Sequence, residues 1–450
     1  MQSEKTFKIT TLGCKMNQYE SSGMEQILLN EGYRLVREDE EAALHIINTC
    51  TVTAKTDTRS RQAIRKAKQA SPSSLLLVTG CYAQRFPDEV SIIEGVDHVL
   101  GNNEKVKLAA IISSLASGSG VPKIQVSDIR ETHEFQEFFL TCFSDYTRAF
   151  VKIQDGCNCH CAYCAVTFAR GPGRSLEPLK VRAQIETLLD HGYKEIVLTG
   201  INLGSYGQDL KPRLTLADFL TDITTSFSGQ RLRLSSIEPQ EWTDQLIDVI
   251  SKESKICPHF HIPLQSGSNV ILKKMERKYD RSGYESLINK IFSAMPSAGI
   301  GADVMVGFPG ETETEFGETQ ELIENLPLSY LHVFGYSPRP GTPAYSTPLT
   351  CSVSEKKDRV RIIRQLGEQK KLAFRKAHLG QELSVLILSK RASAKGLLIG
   401  LSENYLNILF GGSDRLFNTF QKVKITHLQD DQVFGARVHG PPRPLLNECR

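Results

Sequence analysis

No apolar run in this 450-residue chain approaches the roughly 20 residues that a membrane span requires. The N-terminus, "MQSEKTFKITTLGC", lacks the charged-then-apolar pattern of a signal peptide. No sequence repeat and no low-complexity segment is present, which sets repeat architectures aside. Excess charge of one sign is also missing: the formal net charge is +3, which argues neither for nor against a nucleic-acid partner. A cytoplasmic protein is expected. Disulfides are rare there, so the 11 cysteines read as free thiols or metal ligands. Hydrophobic residues at 40% and charged ones at 23% fit a soluble globular chain with ample core, and the length fits two to four domains.

Charge is unevenly placed despite the small total. Lys55–Lys68, Lys273–Arg281 and Lys356–Lys376 are basic stretches that fit either RNA phosphates or a solvated helix face. In the first ~110 residues apolar strand candidates ("FKITTLGC", "ALHIINTC", "LLLVTGC", "VDHVLGN") alternate with helical patterns, which implies an α/β domain with a parallel sheet over residues 1–115. "SSLASGSGVP" at 113–122 reads as a linker. A second series starts near Ala149, with "AFVKIQ", "EIVLTG", "RLRLSS", "FHIPLQ", "GADVMVGF" and "YLHVFGY" as strands. These units, over 143–373, fit a partial (βα)6 barrel or a large doubly wound sheet; a full eight-unit barrel needs more elements. A basic helix at 354–380 leads to short strand candidates over 376–440, which fit a small β-barrel.

"DGCNCHCAYC" packs Cys157, Cys159, Cys161 and Cys164 directly after the first strand of the central series, on the edge where barrel enzymes build active sites. Cys157, Cys161 and Cys164 could hold a four-iron cluster with one iron left open to bind a substrate, whereas four thiolates would close the site. A structural zinc or closed iron–sulfur site that also uses Cys159 is the alternative, although this spacing is not that of a usual zinc knuckle. Cys14, Cys50 and Cys81 each follow an apolar strand. A parallel sheet would place all three thiols on its C-terminal edge, where such folds bind ligands. The alternative is that they are small buried core residues.

The central motif resembles the radical S-adenosylmethionine superfamily, whose C-x3-C-x2-C signature matches Cys157, Cys161 and Cys164, with Tyr163 before the third ligand. That resemblance implies that the open iron chelates S-adenosylmethionine and that electron transfer releases a 5′-deoxyadenosyl radical. It also implies cofactor contacts at the ends of later strands: Thr199 and Gly200, Ser236 and Glu238, Gln265 and Ser266, and Gly307, Phe308, Pro309, Gly310 and Glu311. Any one of these segments, taken alone, is more often just a turn; their shared edge of the sheet is what groups them. "LGCKMNQYES", "INTCTVT" and "TGCYAQ" extend the resemblance to the methylthiotransferases, and the terminal β-barrel resembles a TRAM domain. The family implies a second [4Fe-4S] cluster on Cys14, Cys50 and Cys81 carrying the sulfur to be inserted, a net change of C–H to C–S–CH3, and an electron donor such as a flavodoxin or ferredoxin. Cys159 departs from the family, which has asparagine there.

Lys15 and "VLTGINLGSYG" resemble the branch acting on N6-threonylcarbamoyladenosine beside the tRNA anticodon. Lys15 could meet the carboxylate of that group, or be a solvated loop residue. The same chemistry on isopentenyladenosine or on a ribosomal-protein aspartate is the near alternative. A non-catalytic, metal-containing RNA-binding protein is the alternative from another class. In the terminal barrel Tyr405, Phe410, Phe417 and Phe420, with Arg415, Lys422 and Lys424, fit an RNA grip or, for the aromatics, simply core. His259, His261 and His332 are expected as strand residues and not ligands; Cys142, Cys257, Cys351 and Cys449 as ordinary thiols. The sequence sets no oligomeric state.

Overall fold

The computed structural model describes residues 5–37, 40–118, 120–144, 146–392 and 396–438; Cys449 and the last residues of the 376–440 stretch lie outside them. The first sheet has six strands, β1 (Thr6–Thr11), β2 (Arg34–Leu35), β3 (Leu44–Thr49), β4 (Leu75–Gly80), β5 (His98–Leu100) and β6 (Ile124–Gln125). Their order is β2-β1-β3-β4-β5-β6, with every pair parallel. β3, "LHIINT", is buried along its whole length, as a central parallel strand covered on both faces should be. The edge strands β2 and β6 have two residues each, too few to form a readable pattern. The Gly/Ser-rich stretch 113–122 does not leave this sheet. Helix Leu108–Ala116 takes its first part, and β6 beyond it pairs with β5.

The central strands are β7 (Ala149–Lys152), β8 (Gln154–Asp155), β9 (Arg174–Ser175), β10 (Glu195–Thr199), β11 (Arg231–Leu234), β12 (His259–His261), β13 (Gly299–Val306) and β14 (Tyr330–Gly335). Six of them form two parallel ladders, β7-β10-β11 and β12-β13-β14. The ladders are joined where Ile237 N–H donates to the His261 carbonyl (3.1 Å). This is the expected partial barrel. The short antiparallel pair β8–β9 was not expected; it draws Asp155 and Arg174 together and closes the base of the cysteine loop.

Strands β15 (Glu382–Arg391), β16 (Leu398–Ser402), β17 (Asn407–Phe410), β18 (Phe420–Gln429) and β19 (Gln432–Arg437) form a closed barrel. Closure removes the exposed edges that short strands otherwise leave. Val385, Ile387, Leu398, Ile408, Phe410, Val423 and Ile425 fill it. None of the four aromatics named above is exposed: Phe410 is core, and Phe420 lies under the Arg231 guanidinium at 5.1 Å. Arg415, Lys422 and Lys424 are exposed.

One carboxylate joins this barrel to the central one. Glu195 accepts from Arg231 Nε (2.6 Å) and Arg233 Nε (2.7 Å). The same guanidiniums donate onward to the carbonyls of Leu401 (2.7 Å), Ser402 (3.1 Å) and Glu403 (2.8 Å). Burial alone would raise the Glu195 carboxyl pKa, but the charges of Arg233 and Arg231 outweigh it and hold the group well below the usual carboxylate range. Its contribution to stability is therefore present above the ordinary carboxylate pKa and is lost only as pH falls through the lowered folded value. Glu195→Ala would leave buried guanidinium charge uncompensated and should lower stability by about 3–5 kcal/mol, measured by denaturant unfolding followed through the single tryptophan, Trp242.

Candidate active site

In the N-terminal sheet the three cysteines sit just beyond β1, β3 and β4, as the strand pattern predicts. Cys14 caps helix Lys15–Asn30, Cys50 follows Thr49, and Cys81 opens helix Cys81–Arg85. Their loops are tied to one another. Asn17 Nδ2 donates to the carbonyls of Leu12 (2.7 Å) and Thr49 (2.9 Å), Asn48 Nδ2 donates to the Asn17 carbonyl (3.0 Å), and Thr49 Oγ1 donates to the Thr79 carbonyl (2.5 Å). Gly13, at φ 101°, lets the first loop approach the second, since a Cβ there would stand 2.8 Å from Cys50 Sγ. Burial pushes the Cys50 thiol up to about 12, and the neighbouring Cys81 adds to the shift. Burial also raises Cys14, partly countered by the Arg170 charge. Cys14 is solvent-exposed, Cys81 half-buried and Cys50 buried.

Cys157, Cys161 and Cys164 lie on the loop that β8 and β9 close. Gly156 (φ 72°) is required at its start, because a Cβ there would collide with the Pro172 carbonyl. Donors surround the sulfurs: Val166 N–H to Cys164 (3.5 Å) and Arg277 Nη1 to Cys161 (3.2 Å). Cys159 is engaged differently. Its N–H donates to Cys157 Sγ (3.4 Å), and its own sulfur accepts from Asn202 Nδ2 (3.6 Å) and Gln240 Nε2 (3.7 Å). Among the described residues, only His261, Asp303 and His332 bring three ligand atoms within 4.8 Å of one another, so neither cysteine set closes to the spacing of a single ion. Thiols set wider than that fit a larger group, such as a four-iron cluster.

The residues expected at the cofactor are spread around this loop. Glu238 pairs with Arg277, which links it to Cys161. Thr199 ends β10 and donates to Met16 Sδ (3.8 Å) of the N-terminal helix; Gly200 lies against Gln154. Ser236 follows β11. Gln265 is buried at φ 62° and its Oε1 has no partner, nor do the buried oxygens Asn202 Oδ1 and Gln240 Oε1 beside Cys159. Orphaned buried acceptors are costly, and a bound group carrying donors would satisfy them. Phe308 packs edge-on against Tyr163 (6.5 Å) in the apolar cluster that supports the loop. Gly307 and Gly310, flanking Pro309, back onto Lys356 and Lys274. Ser266 bonds Thr319 (3.2 Å) and Glu311 bonds Arg359 (2.8 Å), so both support their turns.

The two cysteine sets face each other across one buried ionic network. Arg170, six residues past Cys164, pairs with Glu20 and donates to Asn17 Oδ1 (2.7 Å). Glu20 also takes Lys105 (2.5 Å) and Lys152 (3.6 Å), and Lys105 reaches Asn48 Oδ1 (3.1 Å). Asp155, just before the cysteine loop, holds Lys152 (3.2 Å), Arg170 (3.6 Å) and Arg174 (3.6 Å). Farther out, Arg339 pairs with Asp57 (2.7 Å) and donates to Thr51 Oγ1 (2.6 Å), next to Cys50. Sequence reasoning missed these residues. The available signal was polar residues inside apolar motifs, such as Asn48 in "INTC". The basic stretches also contain inward members: Arg277 meets the cluster loop and Arg359 meets Glu311.

Residues 6–101 match the family described as Uncharacterized protein family UPF0004, and residues 151–323 match the Radical SAM superfamily. A Bacillus subtilis (strain 168) protein named threonylcarbamoyladenosine tRNA methylthiotransferase is 39% identical over 423 residues, 93% of this chain and 93% of its own. The chain belongs to the methylthiotransferase family of radical S-adenosylmethionine enzymes. An Aquifex aeolicus (strain VF5) protein of the same name is 38% identical, covering 88% of this methylthiotransferase and 95% of its own length. A Moorella thermoacetica (strain ATCC 39073 / JCM 9320) protein named tRNA-2-methylthio-N(6)-dimethylallyladenosine synthase is 33% identical, covering 98% and 100%. A solved radical S-adenosylmethionine methyltransferase from Kitasatospora setae, TsrM, shares the fold at TM-score 0.59 and 15% identity, over 76% of this chain and 77% of that one.

Family membership gives the methylthiotransferase S-adenosylmethionine and a [4Fe-4S] cluster as cofactors. Because the Cys159 sulfur already accepts two amide donors, Cys159→Asn should retain the iron content and the visible absorption of the wild-type protein. Loss of about four irons per chain in that variant would make Cys159 a ligand.

Proposed function

We propose that this methylthiotransferase converts C2–H of N6-threonylcarbamoyladenosine at position 37 of tRNA into C2–S–CH3, in the cytoplasm. Support for the substrate comes from the names of the relatives at 39% and 38% identity. The observation that carries the chemistry is the two sets of three thiols at strand ends, one on three neighbouring loops and one on a single loop, tied together through Arg170 and Glu20.

In this reading Cys157, Cys161 and Cys164 hold the family's cluster, and Cys14, Cys50 and Cys81 hold a second [4Fe-4S] cluster. When bound, these groups and S-adenosylmethionine supply the adenosyl radical, the sulfur and the methyl group. The protein's part is placement. Thr199, Gly200, Ser236, Glu238, Gln265 and the Gly307–Gly310 turn surround S-adenosylmethionine, and Arg277 fixes Glu238 beside Cys161. Arg170, held by Glu20 and Asn17, sets one cation on the helix side of the Cys14 loop, six residues past Cys164. The anticodon stem-loop of tRNA is the substrate-bearing partner, and a flavodoxin or ferredoxin supplies electrons.

The reconstituted protein should carry about eight irons per chain, and the Cys14→Ala/Cys50→Ala/Cys81→Ala variant about four. That variant should still cleave S-adenosylmethionine to 5′-deoxyadenosine but form no methylthio nucleoside. Zinc without acid-labile sulfide would overturn the reading. Nucleoside mass spectrometry of tRNA from a deletion strain should show loss of the methylthio-threonylcarbamoyl nucleoside. Loss of a methylthio-isopentenyl nucleoside instead would reassign the substrate.

A further inference from the structure

Three side chains on the inner wall of the central barrel take no part in the proposed function. In the parallel register His261 stands opposite Gly301 and Asp303 opposite His332, so His261, Asp303 and His332 share one face of the β12-β13-β14 ladder. The alternate residues face helix Val353–Ala377, where a Cβ on Gly367 would stand 3.2 Å from Leu331. The three side chains therefore point into the barrel. Asp303 Oδ1 meets His261 Nε2 at 3.0 Å and His332 Nδ1 at 3.3 Å. The three ligand atoms all lie within 4.8 Å of one another. Around an ion held about 2.1 Å from each donor, neighbouring donors stand about 3.0 Å apart in octahedral geometry and about 3.4 Å apart in tetrahedral geometry. The two measured separations match a coordination shell.

The cluster is also oriented from behind. The Tyr330 hydroxyl lies 3.2 Å from His261 Nδ1 and 3.0 Å from His259 Nε2. Burial holds the His259 imidazole well below its ordinary pKa, so the ring is neutral and its Nε2 can accept the phenol proton. The Tyr330 oxygen then accepts from His261 Nδ1–H, which leaves the lone pair of His261 Nε2 facing Asp303. A partner of this kind on the far nitrogen fixes the tautomer of a histidine ligand. Gly301 makes the arrangement possible, because a Cβ there would stand 2.0 Å from the Tyr330 ring. His261 and Asp303 are half-buried, whereas the His332 side chain is 64% exposed, so the cluster opens on one side. Two imidazoles and one carboxylate with free positions suit a divalent first-row transition ion; Mg2+ and Ca2+ call for more oxygen donors.

We propose that His261 Nε2, the Asp303 carboxylate and His332 Nδ1 form a mononuclear site for a divalent first-row transition ion, such as Zn2+, on the inner wall of the barrel and separate from both cysteine sets. All three ligands stand on adjacent strands of one ladder, so the site is preformed and no loop has to close on it. The ion's remaining positions are left to water or to an oxygen of a bound molecule. The three residues are far apart in the chain and meet only through strand register, which is why each alone reads as a plain strand residue.

The test uses full-length protein reconstituted with its clusters and equilibrated with Zn2+. It is read by metal analysis and by X-ray absorption at the zinc edge, to which cluster iron does not contribute. Wild type should retain about one zinc per chain in addition to its iron, with nitrogen and oxygen neighbours at about 2.0–2.1 Å, scattering from imidazole rings and no sulfur at about 2.3 Å. His332→Ala removes a mostly exposed side chain and should lose this zinc with its iron content unchanged. Tyr330→Phe should weaken zinc binding by about tenfold to a hundredfold. Sulfur among the zinc neighbours, no stoichiometric uptake by wild type, or full uptake by His332→Ala overturns the proposal. Iron and sulfide are measured on the same samples, so a failed cluster reading is told apart from a failed zinc site.

Discussion

The contact between Glu20 and Arg170 orders the rest of the site. Glu20 lies on the first helix of the N-terminal domain and Arg170 follows the cysteine loop of the central barrel, 150 residues later. Both are fully buried, and Lys105, Lys152 and Asp155 complete the network. Burial would raise the Glu20 carboxyl pKa, but the charges of Arg170, Lys105 and Lys152 outweigh it and keep the carboxylate ionised. Buried pairs of this kind add little net stability, yet an unpaired member is heavily penalised. The network therefore acts mainly on geometry: alternative dockings of the two domains would strand a charge. The two cysteine edges thus face each other in one arrangement.

A second ionic hub, around Glu195, performs the same task at the opposite end of the barrel. There the arginines of β11 reach backbone carbonyls of the terminal barrel and fix Tyr405 beneath the central strands. The central barrel is thus bounded by a cysteine-bearing edge at one end and a charged floor at the other. Charges act together with apolar packing here, since one buried apolar cluster runs from Phe7, Tyr19 and Leu28 of the first unit to Phe150 and Val151 of the second.

Much of the architecture was legible from strand patterning. The four longer strands of the first sheet, the six barrel strands and the five of the terminal barrel follow apolar runs bounded by glycine or asparagine, because burial of one or both faces requires them. β2, β6, β8 and β9 were not legible. Each has two residues, and each is held by a neighbour already in place and not by its own pattern. The Gly/Ser-rich stretch failed as a linker for the same reason: composition reports local flexibility, while β5 decides where the chain pairs next.

By itself the sequence determined the cysteine ligand candidates and their place at strand ends. A strand followed at once by a small residue and a cysteine puts the thiol on the C-terminal edge of any parallel sheet. The sequence also determined the family, through motifs spanning three domains. Only the tertiary structure decided which polar residues join the two cysteine sets and which members of the basic stretches turn inward. These are contacts between charges far apart in the chain. Their partners are chosen by burial, since a charge taken out of water must be met by whichever opposite charge the packed domains bring to it.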